Sequence, residues 1–231
     1  TMLRARQFIS IQTQEKIMTI LSSPTHVELS GRGLVTIRPS DYVATGGEGS
    51  VYRLNDTIVK LYTDPQKMTE AGFLEKLKLL ATIKHNQIVA PRGLVIRSGV
   101  EIGYYMPYVS GEPLSRLFTN DFIARNGITQ TDAIEVVRSM REIILAAHKH
   151  KAVLVDANEL NWLLELKKKK SPIPYVIDVD SWSIGKWKGS VIMPSIRDWQ
   201  ASEFNELSDW FAWGVVTFQI FTGVHPYKGV L

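Results

Sequence analysis

Hydrophobic and polar positions change their spacing along the chain, and this change divides the sequence into a strand-rich first part and a helix-rich second part. Apolar residues at helical spacing predict an amphipathic helix over residues 3–22. Alternating or β-branched residues then predict strands at 33–38, 50–54 and 57–62, with a tight turn at Asn55-Asp56 between the last two. Strands joined by so short a turn pair in antiparallel sheet.

Helical spacing returns over residues 66–84, and a second strand hairpin is predicted at 94–97 and 102–106. From residue 131 onward helices dominate. Residues 210–221 are apolar on nearly every side, which predicts a helix buried within a lobe. The pattern therefore predicts an α+β fold in which a small antiparallel sheet precedes a larger helical part.

Composition narrows the class of protein without selecting a function. The 231 residues are 45% hydrophobic and 22% charged, as in ordinary globular domains. The chain has no cysteine, which excludes disulfide bonds, thiolate nucleophiles and cysteine-ligated zinc, and its five histidines lack metal-ligand spacing. A net charge of +4 fits an acidic partner or none and decides nothing by itself. We do not expect nucleic acid as a partner.

The distribution of apolar residues also bears on location. No apolar run approaches the roughly 18 residues of a membrane span, and the N-terminal residues lack the uninterrupted apolar stretch of a signal peptide. We therefore expect a cytoplasmic protein with no membrane partner.

The first chemical signal is a glycine-rich segment between two predicted strands. Glycine lets the backbone approach a phosphate closely, and its exposed amides can bind negative oxygens. A plain β-turn is the better explanation when such a segment stands alone. Lys60, however, ends the following strand among apolar neighbours, and the two features together favour a phosphate site. The candidate loop residues are Gly46, Gly47, Glu48, Gly49 and Val51.

Five further motifs follow along the chain: His85–Val89, Tyr104–Gly111, Val155–Asn161, Tyr175–Asp180 and Ser208–Val216. Together with the glycine loop and Lys60, this ordered set resembles the protein kinase superfamily over about residues 41 to 229. The order of the whole set is far more specific than any one motif.

The resemblance implies a two-lobed, protein-kinase-like fold with a small antiparallel-sheet N-lobe and a helical C-lobe. We expect an N-terminal helical extension and leading strand over residues 1–40, the N-lobe over 41–106, and the hinge with the C-lobe over 107–231. Kinase folds continue through several helices after the central buried one, so the C-lobe is expected to be truncated after that helix.

In the resemblance, Lys60 grips the α- and β-phosphates of ATP, and a glutamate on the following helix pairs with the lysine. Glu75 is the expected partner, because it precedes the apolar stripe of that helix, and Glu70 is the alternative. A solvent-facing helical carboxylate is an equally good interpretation of either residue.

The segment after the last predicted strand of the sheet resembles the kinase hinge. The resemblance implies that Met106 lines the back of the adenine pocket and that the backbones of Pro107 and Val109 bond the adenine edge. A plain exit from strand to loop is the alternative interpretation.

The strongest block resembles the kinase catalytic loop. Asp156 matches the aspartate that accepts the proton of the substrate hydroxyl, and Asn161, five residues later, matches the asparagine that holds magnesium. Asp178 matches the main magnesium ligand, since Mg²⁺ prefers carboxylate oxygens. Asp180 stands where the family has glycine, either as an extra ligand or, as we favour, as a loop cap.

Two further residues match structural positions of the family. His148 stands eight residues before Asp156, and the resemblance implies that it packs and takes no part in catalysis. Asp209 would hold the backbone of the catalytic loop from below.

The sequence departs from the family pattern at several positions. Ala44 replaces the first loop glycine, Leu154 and Val155 stand in place of His-Arg, and Asn158 replaces the lysine that helps neutralise the transferred phosphate. No clear Ala-Pro-Glu motif occurs. These departures resemble a divergent bacterial and phage-type group of serine/threonine kinase-like proteins with Gly-Gly-Glu-Gly loops.

The implied reaction is ATP- and Mg²⁺-dependent transfer of the γ-phosphate to a hydroxyl, with Ser or Thr of an unknown protein as the favoured acceptor. Two alternatives stay open: a nucleotide-binding scaffold of the pseudokinase type, and a small-molecule kinase of the same fold. The run of Lys167, Lys168, Lys169 and Lys170 predicts a solvated hairpin tip, or alternatively a docking site for an acidic partner.

Overall fold

The computed structural model describes residues 20–70, 72–167, 171–189 and 192–228. The helix predicted over residues 3–22 lies almost wholly outside these residues. The described residues form an α+β fold with four α-helices and twelve strands. None of the helices in this part of the chain is long and apolar enough to cross a membrane.

The chain forms two compact units, and each is described by itself. The first, here called the sheet unit, comprises the described residues within 1–75 and 91–108. The second, here called the helical unit, comprises the described residues within 76–90 and 109–231.

The sheet unit is built on one seven-stranded antiparallel sheet. In chain order its strands are β1 Thr25–Leu29, β2 Gly33–Ile37, β3 Tyr42–Thr45, β4 Gly49–Leu54, β5 Thr57–Tyr62, β6 Gly93–Arg97 and β7 Val100–Pro107. Across the sheet they are ordered β2-β1-β6-β7-β5-β4-β3. The interior strand β5 is buried along its whole length, including Lys60, which lies among its apolar residues.

Both predicted hairpins of the sheet are confirmed. Strands β4 and β5 meet at the turn Asn55-Asp56, where Asn55 takes a φ of 54°, a left-handed conformation that Asn tolerates. Strands β6 and β7 form the second hairpin. Strand β1 was not predicted, although its residues alternate between buried and exposed positions.

Two segments group differently from the predicted division. Strands β1 and β2 lie in the range predicted as an N-terminal extension and leading strand, and both belong to the main sheet, because β1 pairs with β2 and with β6. Residues 76–90, expected within the N-lobe, group with the helical unit because Leu80, Ile83 and Ile88 lie in its core.

The helical unit contains the helices and five short strands. Its helices are α1 Phe73–Leu80, of which the residues from Lys76 onward belong to this unit, α2 Asn120–Asn126, α3 Gln130–Lys149 and α4 Glu206–Thr222. The short strands are β8 Glu112–Pro113, β9 Ala152–Val153, β10 Trp162–Glu165, β11 Ile173–Val176 and β12 Ser183–Ile184. They pair in the orders β11-β10-β8 and β12-β9.

Helix α1 is shorter than the helix predicted over 66–84. A 3₁₀ turn at Pro65–Thr69 precedes it, and the Asp64 carboxylate accepts a hydrogen bond from the Gln66 amide at 2.9 Å to start that turn. Gly72 then takes a φ of 87°, which a helix cannot contain. The apolar spacing is therefore divided between two short elements.

Helices α3 and α4 pack into one core. Helix α3 begins with a capping box between Thr129 and Asp132 and buries the predicted stripe that includes Met140 and Ile144. Helix α4 is buried on one side, at Val215, Val216 and Ile220, whereas Phe218 and Phe221 on its other side are 43% and 46% exposed.

Candidate functional site

The glycine-rich hairpin joins β3 to β4 in the sheet unit. The space available for a side chain differs among its glycines. A Cβ at Gly49 would lie 2.2 Å from the carbonyl oxygen of Leu61, so packing excludes any side chain there. A Cβ at Gly46 or Gly47 would meet nothing within 4 Å. These two positions therefore leave open backbone, as close approach of a phosphate requires.

Glu48, between these glycines, forms an ion pair with Lys67 at 2.5 Å. Its carbonyl oxygen accepts a hydrogen bond from the Thr63 amide at 2.9 Å. Both contacts hold the turn on the sheet unit and give Glu48 a structural role.

Lys60 lies on the interior strand β5 and is only 7% exposed. It is directly opposite Val51 on β4 and Tyr104 on β7, so its side chain shares a face of the sheet with both. Its Nζ lies 5.7 Å from the ring centroid of Tyr62 and 5.9 Å from that of Tyr104. The predicted lysine is therefore enclosed by aromatic rings and is not a solvated edge charge.

The two candidate glutamates lie at exposed positions. Glu75 is in the first turn of α1, and Glu70 follows the 3₁₀ turn. Within the described residues neither carboxylate forms a salt bridge. Both positions match the solvent-facing interpretation, and the pairing with Lys60 stays a prediction.

The predicted hinge begins at the end of β7. Met106 is buried opposite Ile58, and Pro107 pairs with Thr57. Pro107 has no N–H, so its carbonyl is the only backbone group with which it can bind a ligand. Val109, the next candidate, is half-buried and begins the second segment of the helical unit.

In the helical unit, Asp209 holds the start of the loop that carries Asp156. Its carboxylate is fully buried and accepts hydrogen bonds from the amides of Leu154 at 2.8 Å and Val155 at 2.9 Å. The Nε2 of buried His148 lies 2.8 Å from the same carboxylate. The structural roles expected for Asp209 and His148 are confirmed.

Val155 takes a φ of 65°, which is rare for a β-branched residue and costs free energy. The hydrogen bond from its amide to Asp209 helps to hold this conformation. The strained residue directly precedes Asp156, so the backbone turn sets the direction in which the aspartate leaves the loop.

Asp156 and Asn161 are brought together, as their spacing predicts. The Nδ2 of Asn161 donates to the carbonyl oxygen of Asp156 at 2.8 Å and lies 3.5 Å from its Oδ2. The Oδ1 of Asp156 accepts a hydrogen bond from the amide of Met193 at 2.8 Å. One carboxylate oxygen is thus fixed by the protein, and Oδ2 has only a long contact.

The segment carrying Asp178 lies beside Asn161, because the Ile177 amide donates to the carbonyl oxygen of Asn161 at 2.9 Å. Asp178 takes a left-handed conformation, with φ 60° and ψ 38°, and caps a 3₁₀ turn at Val179–Ser181. The amide and hydroxyl of Ser181 both donate to the Asp178 carbonyl oxygen, at 3.2 and 2.7 Å.

These residues fit a magnesium ion bound together with phosphates. Mg²⁺ in such sites is held by one or two protein oxygens, with the rest of its shell from phosphate and water. An amide oxygen of Asn161 and a carboxylate of Asp178 are ligands of this kind. Among the described residues no group of three or more His, Cys, Asp or Glu side chains could hold a metal ion.

Asn158 has a different role from the lysine that it replaces in the resemblance. Its side chain is 2% exposed, and its Oδ1 accepts a hydrogen bond from the Leu160 amide at 2.8 Å. It braces the loop and brings no charge to a phosphate.

A cleft of about 890 Å³ lies in the helical unit on the side of Met193, the residue that binds Asp156. Aromatic side chains line it, among them Trp199, Phe211 and Tyr227. The guanidinium of Arg197 lies 4.8 Å from the ring centroid of Trp199. The lining therefore combines aromatic rings with the positive charge of Arg197.

The segment His85–Val89 anchors β11 and α3. The Gln87 side-chain amide donates to the hydroxyl of Ser139 at 2.7 Å and to the carbonyl oxygen of Pro174 at 3.0 Å. The Gln87 backbone amide donates to Nδ1 of His85 at 3.2 Å. Burial lowers the pKa of His85, and the charge of Glu142 partly opposes this shift.

Of the lysine run, Lys167 is described, and the positions of Lys168, Lys169 and Lys170 lie outside the described residues. Lys167 forms an ion pair with Glu165 at 2.9 Å. The hydrogen bond between the two lowers the pKa of Glu165 and raises the pKa of Lys167.

Lys76 is a buried charged residue that the sequence analysis did not single out. It is 4% exposed, and its Nζ donates to the carbonyl oxygen of Asp180 at 2.6 Å. The signal was present in the sequence, because position 76 falls on the same helical stripe as Phe73, Leu77 and Leu80. A lysine within an apolar stripe needs a polar partner.

No protein-family model matches the chain. The kinase-like interpretation therefore depends on the ordered motifs and on the contacts within each unit.

Proposed function

We propose that the protein is an ATP- and Mg²⁺-dependent phosphotransferase that moves the γ-phosphate of ATP to a hydroxyl, with Ser or Thr of a protein as the favoured acceptor. The observation that carries the proposal is the held arrangement of Asp156, Asn161 and the Asp178 segment. Asn161 bonds to Asp156 through its side chain and to Ile177 through its carbonyl. Phosphoryl transfer needs such positioned oxygens more than it needs covalent chemistry.

Each group of the helical unit has a distinct task in this proposal. Asp156 orients the acceptor hydroxyl and takes its proton on Oδ2, while Met193 fixes the other oxygen. Asn161 and Asp178 hold Mg²⁺ through oxygen atoms. When bound, the ion cancels negative charge on the triphosphate.

The sheet unit supplies groups suited to the nucleotide. The open backbone at Gly46 and Gly47 suits the phosphates, and Lys60 adds a fixed positive charge that its aromatic neighbours shield from water. Met106 and the carbonyl of Pro107 suit the adenine. The tasks of these residues come from the kinase resemblance.

A nucleotide-binding scaffold without turnover is the second candidate. The observation that favours it is Asn158, which is buried and bonded to the loop at the position where the family has the lysine that neutralises the transferred phosphate. A small-molecule kinase is a third possibility, because such enzymes also tolerate a changed loop.

Radiolabelled ATP with Mg²⁺ tests the proposal on wild type, Asp156→Ala and Asp121→Ala. We expect wild type to label itself or a generic protein substrate such as casein, and Asp156→Ala to lose labelling while it still binds ATP. Asp121→Ala, which changes an exposed helical residue, should match wild type. Equal turnover by the Asp156 variant would refute the role of this residue.

The same assay separates the candidates. ATP binding without transfer to protein, small hydroxyl compounds or water indicates the scaffold. Labelling of a small hydroxyl compound, with none of protein, indicates the small-molecule kinase.

A further inference from the structure

The burial of Lys76 requires an explanation beyond packing. Its helix neighbours Leu77 and Leu80 are 2% and 0% exposed, and Lys76 itself is 4% exposed. Removing an ammonium group from water is costly unless hydrogen bonds compensate it. A leucine or methionine would fill the same position without that cost.

Lys76 donates a hydrogen bond to the segment that carries the candidate magnesium ligand Asp178. Lys76 and Asp180 are 104 residues apart in sequence and belong to the same unit, and the Nζ of Lys76 donates to the Asp180 carbonyl oxygen at 2.6 Å. Asp180 is the central residue of the 3₁₀ turn Val179–Ser181, which begins directly after Asp178.

The turn is thus braced at two points. Ser181 donates to the carbonyl oxygen of Asp178 through its amide and its hydroxyl. Lys76 holds the next part of the turn through Asp180. Asp178 needs such support, because its left-handed φ of 60° is an uncommon conformation for a residue other than glycine.

We propose that Lys76 is a positioning residue that fixes the turn 178–181 and thereby the direction of the Asp178 carboxylate toward Mg²⁺. This inference rests on the proposed function, since it gives the lysine a task in the same site. The ammonium also brings positive charge to a turn with two aspartates, which lowers their mutual repulsion. Groups that orient a metal ligand affect metal affinity without touching the metal.

Lys76→Met tests the inference, because methionine fits an apolar stripe and removes only the charge and the donor. Lys78→Met is the matched control, since Lys78 is exposed on the same helix. The first measurement is binding of a fluorescent ATP analogue across a titration of Mg²⁺ and again in EDTA. The second is thermal unfolding without ligand.

For Lys76→Met we expect the half-saturating Mg²⁺ concentration to rise about tenfold or more. Binding in EDTA should stay as in wild type, and Lys78→Met should match wild type in both conditions. A merely structural role would lower the melting temperature and leave the Mg²⁺ requirement unchanged. A Mg²⁺ requirement within twofold of wild type overturns the inference.

Should Lys76→Met fail to fold, Lys76→Leu decides by the same criterion, because leucine also fits the apolar stripe and donates no hydrogen bond. Asp178→Ala distinguishes failure of the inference from failure of the proposed function. If Asp178→Ala raises the Mg²⁺ requirement and Lys76→Met does not, only the inference is wrong. If wild type shows no Mg²⁺-dependent binding of the nucleotide, both are wrong.

Discussion

The imidazole of His148 and the carboxylate of Asp209 meet in the interior of the helical unit, with Nε2 and Oδ2 separated by 2.8 Å. An ionised carboxylate can only accept hydrogen bonds, so His148 donates from Nε2. Asp209 also accepts from the amides of Leu154 and Val155. Three donors therefore replace water around one buried charge, and they join α3, α4 and the loop before Asp156.

Asp209→Asn should lower the free energy of unfolding by about 3 kcal/mol, because it removes a buried charge from three donors and places an N–H₂ group among them. Urea unfolding followed by circular dichroism measures the loss. Asp121→Asn is the control, since its carboxylate pairs with Arg125 at an exposed position, where such pairs contribute about 0–1 kcal/mol. Equal losses in the two variants would show that the Asp209 contacts do not stabilise the unit.

The glycine hairpin gives a prediction that separates packing from ligand binding. Gly49→Ala should destabilise the protein by about 2 kcal/mol or more, because its Cβ would lie 2.2 Å from the backbone oxygen of Leu61. Gly47→Ala should change stability by no more than about 0.5 kcal/mol, since nothing lies within 4 Å of its Cβ, and should instead weaken ATP binding.

Thermal unfolding and ATP titration of both variants check this contrast. Equal stability of the two variants would contradict the packing role of Gly49. Unchanged ATP affinity in a folded Gly47→Ala would remove this glycine from the proposed phosphate site.

Local features of the fold were predictable from the sequence. The strands β4 and β5 are close to their predicted bounds, because alternation and the Asn55-Asp56 turn act over a few residues. Helix α1 was predicted too long, since the apolar spacing continues across Gly72 while the backbone does not. The exposure of Phe218 depends on which elements cover α4, and hydrophobic pattern alone does not specify them.

The same distinction applies to the candidate site. Asp156 and Asn161 are five residues apart in one loop, so their spacing predicted that they lie together. The contact between Lys76 and Asp180 joins positions 104 residues apart, and only the tertiary fold brings them together. The sequence nevertheless indicates that Lys76 needs a polar partner, because this lysine lies within an apolar stripe.

If the lysine run binds an acidic partner, the binding is expected to be electrostatic and therefore to weaken with salt. Replacing Lys167, Lys168, Lys169 and Lys170 by Ser should abolish a salt-dependent affinity for a polyglutamate peptide, because screening weakens exposed charge interactions. Fluorescence anisotropy at increasing NaCl concentration measures this affinity. Lys149→Ser with Lys151→Ser, two exposed lysines elsewhere, should bind as wild type does.

Failure of wild type to bind the peptide at low salt would leave the run as a solvated hairpin tip. Binding that persists in the four-serine variant would assign it to another basic surface.

Protonation of His85 should destabilise the helical unit as the pH falls. Burial lowers the folded-state pKa of His85 below its unfolded value, in spite of the opposing charge of Glu142. The unfolded chain therefore takes up the proton first. The stability contributed by neutral His85 is complete above the unfolded pKa and is lost as the pH falls through the folded one.

Protonation breaks one identified contact, because protonated Nδ1 of His85 can no longer accept the hydrogen bond from the Gln87 amide. His85→Asn keeps an acceptor in a similar place and removes the titration. Urea unfolding at pH values from 7 down to 5 should therefore show a shallower loss of stability for His85→Asn than for wild type. His150→Asn, at an exposed position, should follow wild type. If the stability of His85→Asn fell with pH in parallel with that of wild type, His85 would not be the group whose protonation destabilises the protein.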